Sequence, residues 1–317
     1  MQELEAAETC LAPVRDFQAG EGWESPGQAQ ARSRWCCEQL EDNRILFFER
    51  FPFDFSQEDR TFLMSQNWGD SRFHKNISYR PRQDLLRGFA PADASAGRRM
   101  QEVMRRYSER VTLFLSRLLE PYAAHWSLDY ASLRPEAEQD RALPLRKRND
   151  LLHVDAFPSR PTRGGRILRC FSNINPAEPR LWQTTDAFPK LARAYAEPAG
   201  LTDVARQGNG GWPAVWHRLG GALGLKPKGQ TAYDRFMLRF HDYLKENSGF
   251  QRACRKIRLE FPPGSTWICF TDSVPHAVLS GRYAVEQTLI VPVSAMLKPE
   301  KAPLRVLESI ASRALAA

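Results

Sequence analysis

The chain has 317 residues, 42% hydrophobic and 26% charged, with a net charge of +8 and a pI near 9.3. That length holds one large domain with insertions or two ordinary ones, and the composition is ordinary for a soluble globular protein. It excludes a membrane-spanning helix, since no apolar run reaches the roughly 18–20 residues needed, and no aromatic-basic nucleic-acid module is present.

The acidic start Met1-Gln2-Glu3-Leu4-Glu5 has neither the basic nor the apolar region of a secretory leader, so none is expected. Six cysteines stand outside any Cys-x-x-Cys pair, which fits reduced thiols in a cytosolic protein. The positive excess suits an anionic membrane surface or an anionic substrate as well as a nucleic acid, and charge alone does not choose among them.

Residues 1–30 lack sustained periodicity and read as a flexible N-terminal arm, with a short helix allowed at 2–8. Arg44 to Glu49 reads as a strand, closed by Phe51-Pro52-Phe53. Ser56 starts a helix to about Ser65. From about Ser95 to Glu120, Met100, Val103, Met104, Tyr107, Val111, Phe114, Leu115 and Leu118 form a helical stripe that Pro121 ends. Its polar face carries Arg98, Arg99, Arg105, Arg106 and Arg110, a solvated face or one for lipid headgroups.

A basic connector, Arg141 to Arg148, leads into a strand at Leu152–Asp155. Arg166 to Asn175 is the next strand, with Ile167, Arg169, Phe171 and Asn173 on one face and Leu168, Cys170 and Ser172 on the other. Residues 181–254 are mostly helical, with helices expected from Thr185-Asp186 through Ala196, at Trp212–Leu223 and at Tyr233–Glu246, and read as an insertion. Strands resume at 255–261, 266–270, 276–279 and 283–293, separated by Gly/Pro turns, and Ile310 to Ala317 reads as a terminal helix. The expected class is α+β: one domain over 31–317, with a jelly-roll core at about 125–180 and 255–295 buttressed by helices.

The chemistry-bearing stretch is Leu152-His153-Val154-Asp155. On a strand its period of two puts His153 and Asp155 on one face. With His276 at the start of a later strand they form a candidate two-His-one-carboxylate site for Fe(II), which leaves positions open for O2 and a bidentate co-substrate. A keto acid such as 2-oxoglutarate needs a cation for its far carboxylate, and the planar fork of Arg suits it. Many such enzymes carry that cation about ten residues past the second His, where this chain has Glu286 and Gln287. The candidates here are therefore Arg169, sharing its strand face with Asn173, then Arg134 as helper, and Arg282 third. His74, His125, His217 and His241 have no carboxylate partner on a strand.

The blocks Leu152-His153-Val154-Asp155-Ala156-Phe157-Pro158-Ser159-Arg160-Pro161, Gly165 to Pro176, and Asp272-Ser273-Val274-Pro275-His276-Ala277-Val278 resemble the Fe(II)/2-oxoglutarate-dependent Kdo hydroxylases of Gram-negative bacteria over about residues 40–295. The third block is shared by many double-stranded β-helix oxygenases. The resemblance implies hydroxylation at C3 of 3-deoxy-D-manno-oct-2-ulosonic acid (Kdo) on Kdo-lipid A, giving Ko in the lipopolysaccharide inner core. It also implies Fe(II), 2-oxoglutarate and O2 as cofactors, with ascorbate as a supporting reductant. The expected location is the cytoplasmic side of the inner membrane, held peripherally, and no nucleic acid is involved. Arg160, Arg163, Arg146 and Arg148 are candidates to read the substrate's carboxylate or phosphates. Two alternatives stand beside this: a 2-oxoglutarate hydroxylase of another substrate, such as a protein side chain, and a non-catalytic jelly-roll carbohydrate- or membrane-binding protein.

Overall fold

A computed structural model of the chain describes residues 9–19, 21–66, 76–135, 143–208 and 229–316. The helix expected at 212–223, the possible one at 2–8, and His74 and His217 lie outside the described residues. The strands are β1 (Leu11–Pro13), β2 (Phe17–Gln18), β3 (Gly22–Trp23), β4 (Ile45–Phe48), β5 (Ile77–Arg80), β6 (Leu85–Arg87), β7 (Ser127–Arg134), β8 (Arg166–Asn173), β9 (Arg180–Thr184), β10 (Ile257–Phe261), β11 (Thr266–Phe270), β12 (His276–Ser280) and β13 (Ala284–Val291). The helices are α1 (Ala29–Glu41), α2 (Gln57–Ser65), α3 (Ala94–Leu118), α4 (Glu120–Ala123), α5 (Phe188–Tyr195), α6 (Leu201–Gln207), α7 (Ala232–Glu246), α8 (Ser248–Ala253) and α9 (Pro303–Ala311).

Eight strands form the major sheet in the order β1-β4-β11-β8-β13-β7-β5-β6, and β10-β9-β12 form a minor sheet. Pairing is antiparallel except between β1 and β4. The alternation read along β8 sorts its side chains between two cores. Leu168 and Cys170 join the layer under α1 and α3. Phe171 instead joins Trp182, Phe261 and Trp267 between the sheets, with Phe261 and Trp267 stacked at 4.0 Å. This two-sheet jelly roll with a helical layer is the expected α+β architecture.

The helix stripe is realised in α3, where Met100, Val103, Met104, Tyr107, Val111, Phe114, Leu115 and Leu118 are all buried. Its start is set by Asp93, whose carboxylate accepts from the Ser95 and Ala96 amides at 2.8 Å. Three of the five polar-face arginines are paired while still exposed: Arg99 meets Glu58, Arg105 meets Asp84 and Arg106 meets Asp59. Helices α5 to α8 lie between β9 and β10, where the insertion was expected, and enclose Leu152 and Val154 together with Leu304 and Leu307 of α9.

Three expectations change. Residues 11–23 are not all a free arm, because β1 extends the sheet edge and Trp23 packs in the core. Helix α5 starts at Phe188, after an extended Ala187 with no side-chain cap, rather than at a Thr185-Asp186 cap. The last helix is 303–311 and not 310–317, since Pro303 sits in its first turn and Ser312 adopts a left-handed conformation that ends it. Between β12 and β13 only glycine fits: Gly281 has φ +107°, and a Cβ there would stand 2.8 Å from the Arg180 Cα.

Candidate metal centre

The strand expected at Leu152–Asp155 is a single antiparallel bridge. His153 and His276 exchange backbone hydrogen bonds of 3.2 and 2.9 Å, and the Asp155 amide donates to the Thr271 carbonyl at 2.8 Å. The segment 149–155 thus lies against the free edge of β12, with the Val278 amide donating to the Asn149 carbonyl at 2.7 Å. Leu152 and Val154 point into the helical insertion, and by the period of two His153 and Asp155 point the other way. The bend that delivers His276 is held from behind: the fully buried Arg166 donates to Asp272 at 2.9 Å and to the Ser273 hydroxyl at 2.6 Å.

One ligand atom each from His153, Asp155 and His276 lies within 4.8 Å of the others, and all three residues are buried. The two histidines share one local device. His153 Nδ1–H donates to the Leu151 carbonyl at 2.7 Å, and His276 Nδ1–H to the Val274 carbonyl at 3.0 Å. A carbonyl only accepts, so the proton sits on Nδ1 and Nε2 keeps its lone pair. The Nε2 atoms stand 3.7 and 4.0 Å from Asp155 oxygens. Burial lowers the pKa of both imidazoles, His153 the more, and keeps them neutral. Burial alone would raise the Asp155 carboxyl, but the Arg169 guanidinium beside it overrides this and holds it well below the usual range. Two neutral imidazole lone pairs and one carboxylate on one face fit a divalent metal that keeps open positions.

Around this triad runs a chain of charges. Arg169 Nη1 is 2.9 Å from Asp155 Oδ2 and 3.7 Å from Glu286. Arg134 donates twice to Glu286, at 3.0 Å each. Arg169 Nε is buried with no hydrogen-bond partner. The fold therefore brings Arg134 and Arg169 together beside the triad, and Glu286, which stands where many such enzymes place a cation, pairs with both of them.

Other candidates fall elsewhere. Asn173 does not reach the cluster: its amide donates to the Glu178 and Phe261 carbonyls at 2.9 and 3.1 Å and its oxygen accepts from the Asn175 amide, so it secures a turn. Arg282 lies at the turn against the Pro135 carbonyl and the Tyr283 ring. Arg146 is tied to Glu246 and Asp242, and Arg148 to Asp150, which offsets their charge locally. Arg163 reaches the Gly229 carbonyl. Arg160 alone of these four adjoins the cluster: it pairs with Asp129 and lies 4.1 Å above Phe157, a ring that Arg169 also faces at 5.5 Å.

His241, set aside in the sequence for want of a strand partner, is not one of the three grouped ligand candidates but stands beside them. It sits on α7 with its ring 4.9 Å from His153, and its Nδ1–H donates to the Val154 carbonyl at 2.7 Å. The signal available was its place on the buried side of an amphipathic helix. A cleft of about 960 Å3 between α2 and α3 is lined by none of the triad, and its Arg99, Arg106 and Arg110 already face acids.

A family model described as 3-deoxy-D-manno-oct-2-ulosonic acid (Kdo) hydroxylase matches residues 23–314. Among solved structures, the apo form of the Kdo hydroxylase KdoO, a non-haem Fe(II) α-ketoglutarate-dependent dioxygenase, is 33% identical with a TM-score of 0.81, over 96% of this chain and 97% of that one. Its complex with succinate and Fe(III) is 32% identical with a TM-score of 0.80, over 97% and 98%. Its complex with α-ketoglutarate and Fe(III) is 33% identical with a TM-score of 0.79, over 96% of each chain. No curated protein sequence matches the chain.

Proposed function

The chain belongs to the 3-deoxy-D-manno-oct-2-ulosonic acid (Kdo) hydroxylase family, and on that premise we propose which of its residues carry the reaction and which form of the sugar it takes. It is an Fe(II)- and 2-oxoglutarate-dependent dioxygenase that hydroxylates a Kdo sugar. In this reading 31–317 act as one oxygenase domain, and His153, Asp155 and His276 hold the iron. The observation that carries it is the shared Nδ1-to-carbonyl bond in both histidines, which leaves each Nε2 facing Asp155.

Iron and 2-oxoglutarate bound there supply the oxidation that inserts one atom of O2 into a sugar C–H bond, releasing succinate and CO2. The protein residues prepare this. Asp155, kept ionised, can turn its charge from Arg169 to a cation. Arg169, with its unpartnered Nε, then takes the distal carboxylate of 2-oxoglutarate as a planar fork. Arg134 helps, held in place by Glu286.

The substrate in this proposal is Kdo attached to lipid A, hydroxylated at C3 to give Ko, at a membrane surface that the enzyme meets peripherally. The net charge of +8 supports a contact with anionic lipid, and among the described residues no helix is long and apolar enough to cross a membrane. The test is succinate release and a one-oxygen mass gain with Kdo2-lipid A, with free Kdo and with peptides. Turnover stimulated by Kdo2-lipid A is expected. Stimulation by free Kdo alone overturns the lipid-linked substrate, and stimulation by a peptide alone overturns the sugar. Vesicle binding that survives 0.5 M salt overturns an electrostatic membrane contact, since the screening length falls to a few ångströms, roughly 3–5.

A further inference from the structure

Across the major sheet the register builds a row of side chains on the face of the triad. In β5, Ile77 and Tyr79 pack under α3, so Arg80 points to the opposite face. Arg80 and Tyr130 of β7 are the next residues beyond the pair Tyr79↔Ala131, and they meet on that face through guanidinium and ring. A bulge in the β7–β13 ladder then brings Thr288, which opposes Arg169 of β8. Arg80 and Arg169 are thus three strand spacings apart, about 14 Å.

The side chains of this row and its neighbours stack. The Arg80 guanidinium lies 5.0 Å from the Tyr130 ring centroid, and Arg160 lies 4.1 Å from the same ring. Arg160 also lies 4.1 Å from Phe157, which Arg169 faces at 5.5 Å. Arg80, Tyr130, Phe157 and Arg160 are all half-buried, hence open to a ligand. Arg160 has Asp129 as its counter-ion. Among the described residues Arg80 has no carboxylate partner, and its buried Nε has no hydrogen-bond partner. A guanidinium pinned on an aromatic ring with donors unspent is an incomplete anion site.

We propose that Arg80, seated on Tyr130 and backed by Arg160, is the anion-recognising subsite of the substrate pocket and selects a sugar bearing an oxyanion. The inference rests on the Kdo reading above. Two sources share that chemistry, the sugar's own carboxylate and a phosphate on the lipid-linked sugar.

The test compares wild type, Arg80→Gln and Arg80→Lys. Calorimetry with the methyl glycoside of Kdo on the cobalt-loaded protein reads binding directly, and steady-state kinetics use Kdo2-lipid A and the same lipid without phosphates. Loss of a charge-assisted fork predicts a KM rise of about 10- to 100-fold in Arg80→Gln, with a smaller rise in Arg80→Lys. A rise with both lipids assigns the carboxylate, and a rise confined to the phosphorylated lipid assigns the phosphate. An unchanged KM with both lipids overturns the subsite. So does a fall in 2-oxoglutarate affinity as large as that for the sugar. If Arg80→Gln loses its melting transition, Arg80→Lys and Tyr130→Ala carry the same comparison. Glycoside binding is read without turnover, so a wild type that binds the sugar but does not oxidise it fails the functional reading and not the subsite.

Discussion

Arg134 and Glu286 are diagonal neighbours on paired strands, joined by two parallel hydrogen bonds of 3.0 Å and linked through Arg169 to Asp155. Burial alone would raise the Glu286 carboxyl, but Arg134 and Arg169 bring its pKa below the usual value. Removing one partner of such a buried pair strands the other. Glu286→Gln should therefore lower stability by roughly 2–5 kcal/mol in urea unfolding and weaken 2-oxoglutarate binding as the two arginines lose their common anchor. Wild-type stability and affinity in the variant would show that the pair neither stabilises nor positions.

His153→Ala and Asp155→Ala should abolish 2-oxoglutarate turnover while circular dichroism shows the fold retained. Undiminished succinate release in either removes that residue from the iron site. Arg169→Ala should raise the 2-oxoglutarate concentration needed for half-maximal turnover by roughly 10-fold or more, the loss of a charge-assisted bond. An unchanged requirement moves the anchor to Arg134.

His241→Phe should lower metal affinity roughly 10- to 100-fold, because the hydrogen bond to the Val154 carbonyl orients the backbone between two ligands. His241→Gln, which keeps a donor, should recover part of it. Equilibrium dialysis with cobalt(II) reads the difference, and equal affinities in all three proteins sink the positioning role.

The metal-free protein should lose stability as pH falls below 6.5. Unfolded, each imidazole takes up a proton near 6.5. In the fold, burial pushes His241 down to about 4 and keeps His153 and His276 neutral as well. The unfolded state then binds up to three more protons, so stability is whole above pH 6.5 and declines toward pH 4, by at most about 4 kcal/mol per unit. Lowered Asp155 and Glu286 extend the loss below their unfolded values of 3.8 and 4.5. Urea midpoints from pH 8 to 4 check this, and a flat profile contradicts it. At 100 times its Kd, a bound divalent metal should add about 2.7 kcal/mol near neutral pH.

Local geometry was legible in the chain before any fold. A residue's neighbours within a helix or strand follow from 3.6 or 2 residues per repeat, so the buried stripe of α3, the alternation in β8 and the shared face of His153 and Asp155 could be read directly. His276 stood out by its place at a strand start, and the family resemblance supplied the substrate. Partners across strands were not legible, because register is decided by turns, bulges and burial among residues far apart in the chain. Asn173 shares a face with Arg169 yet bonds to a turn, and His241 reaches His153 only because α7 packs behind it. The sequence by itself determined His153, Asp155 and His276 as a candidate set of ligand types on compatible elements. Only the tertiary structure decided that Glu286 would sit between Arg134 and Arg169 and that Arg80 would share their face, since a β-sheet brings those strands together by pairing that no local period encodes.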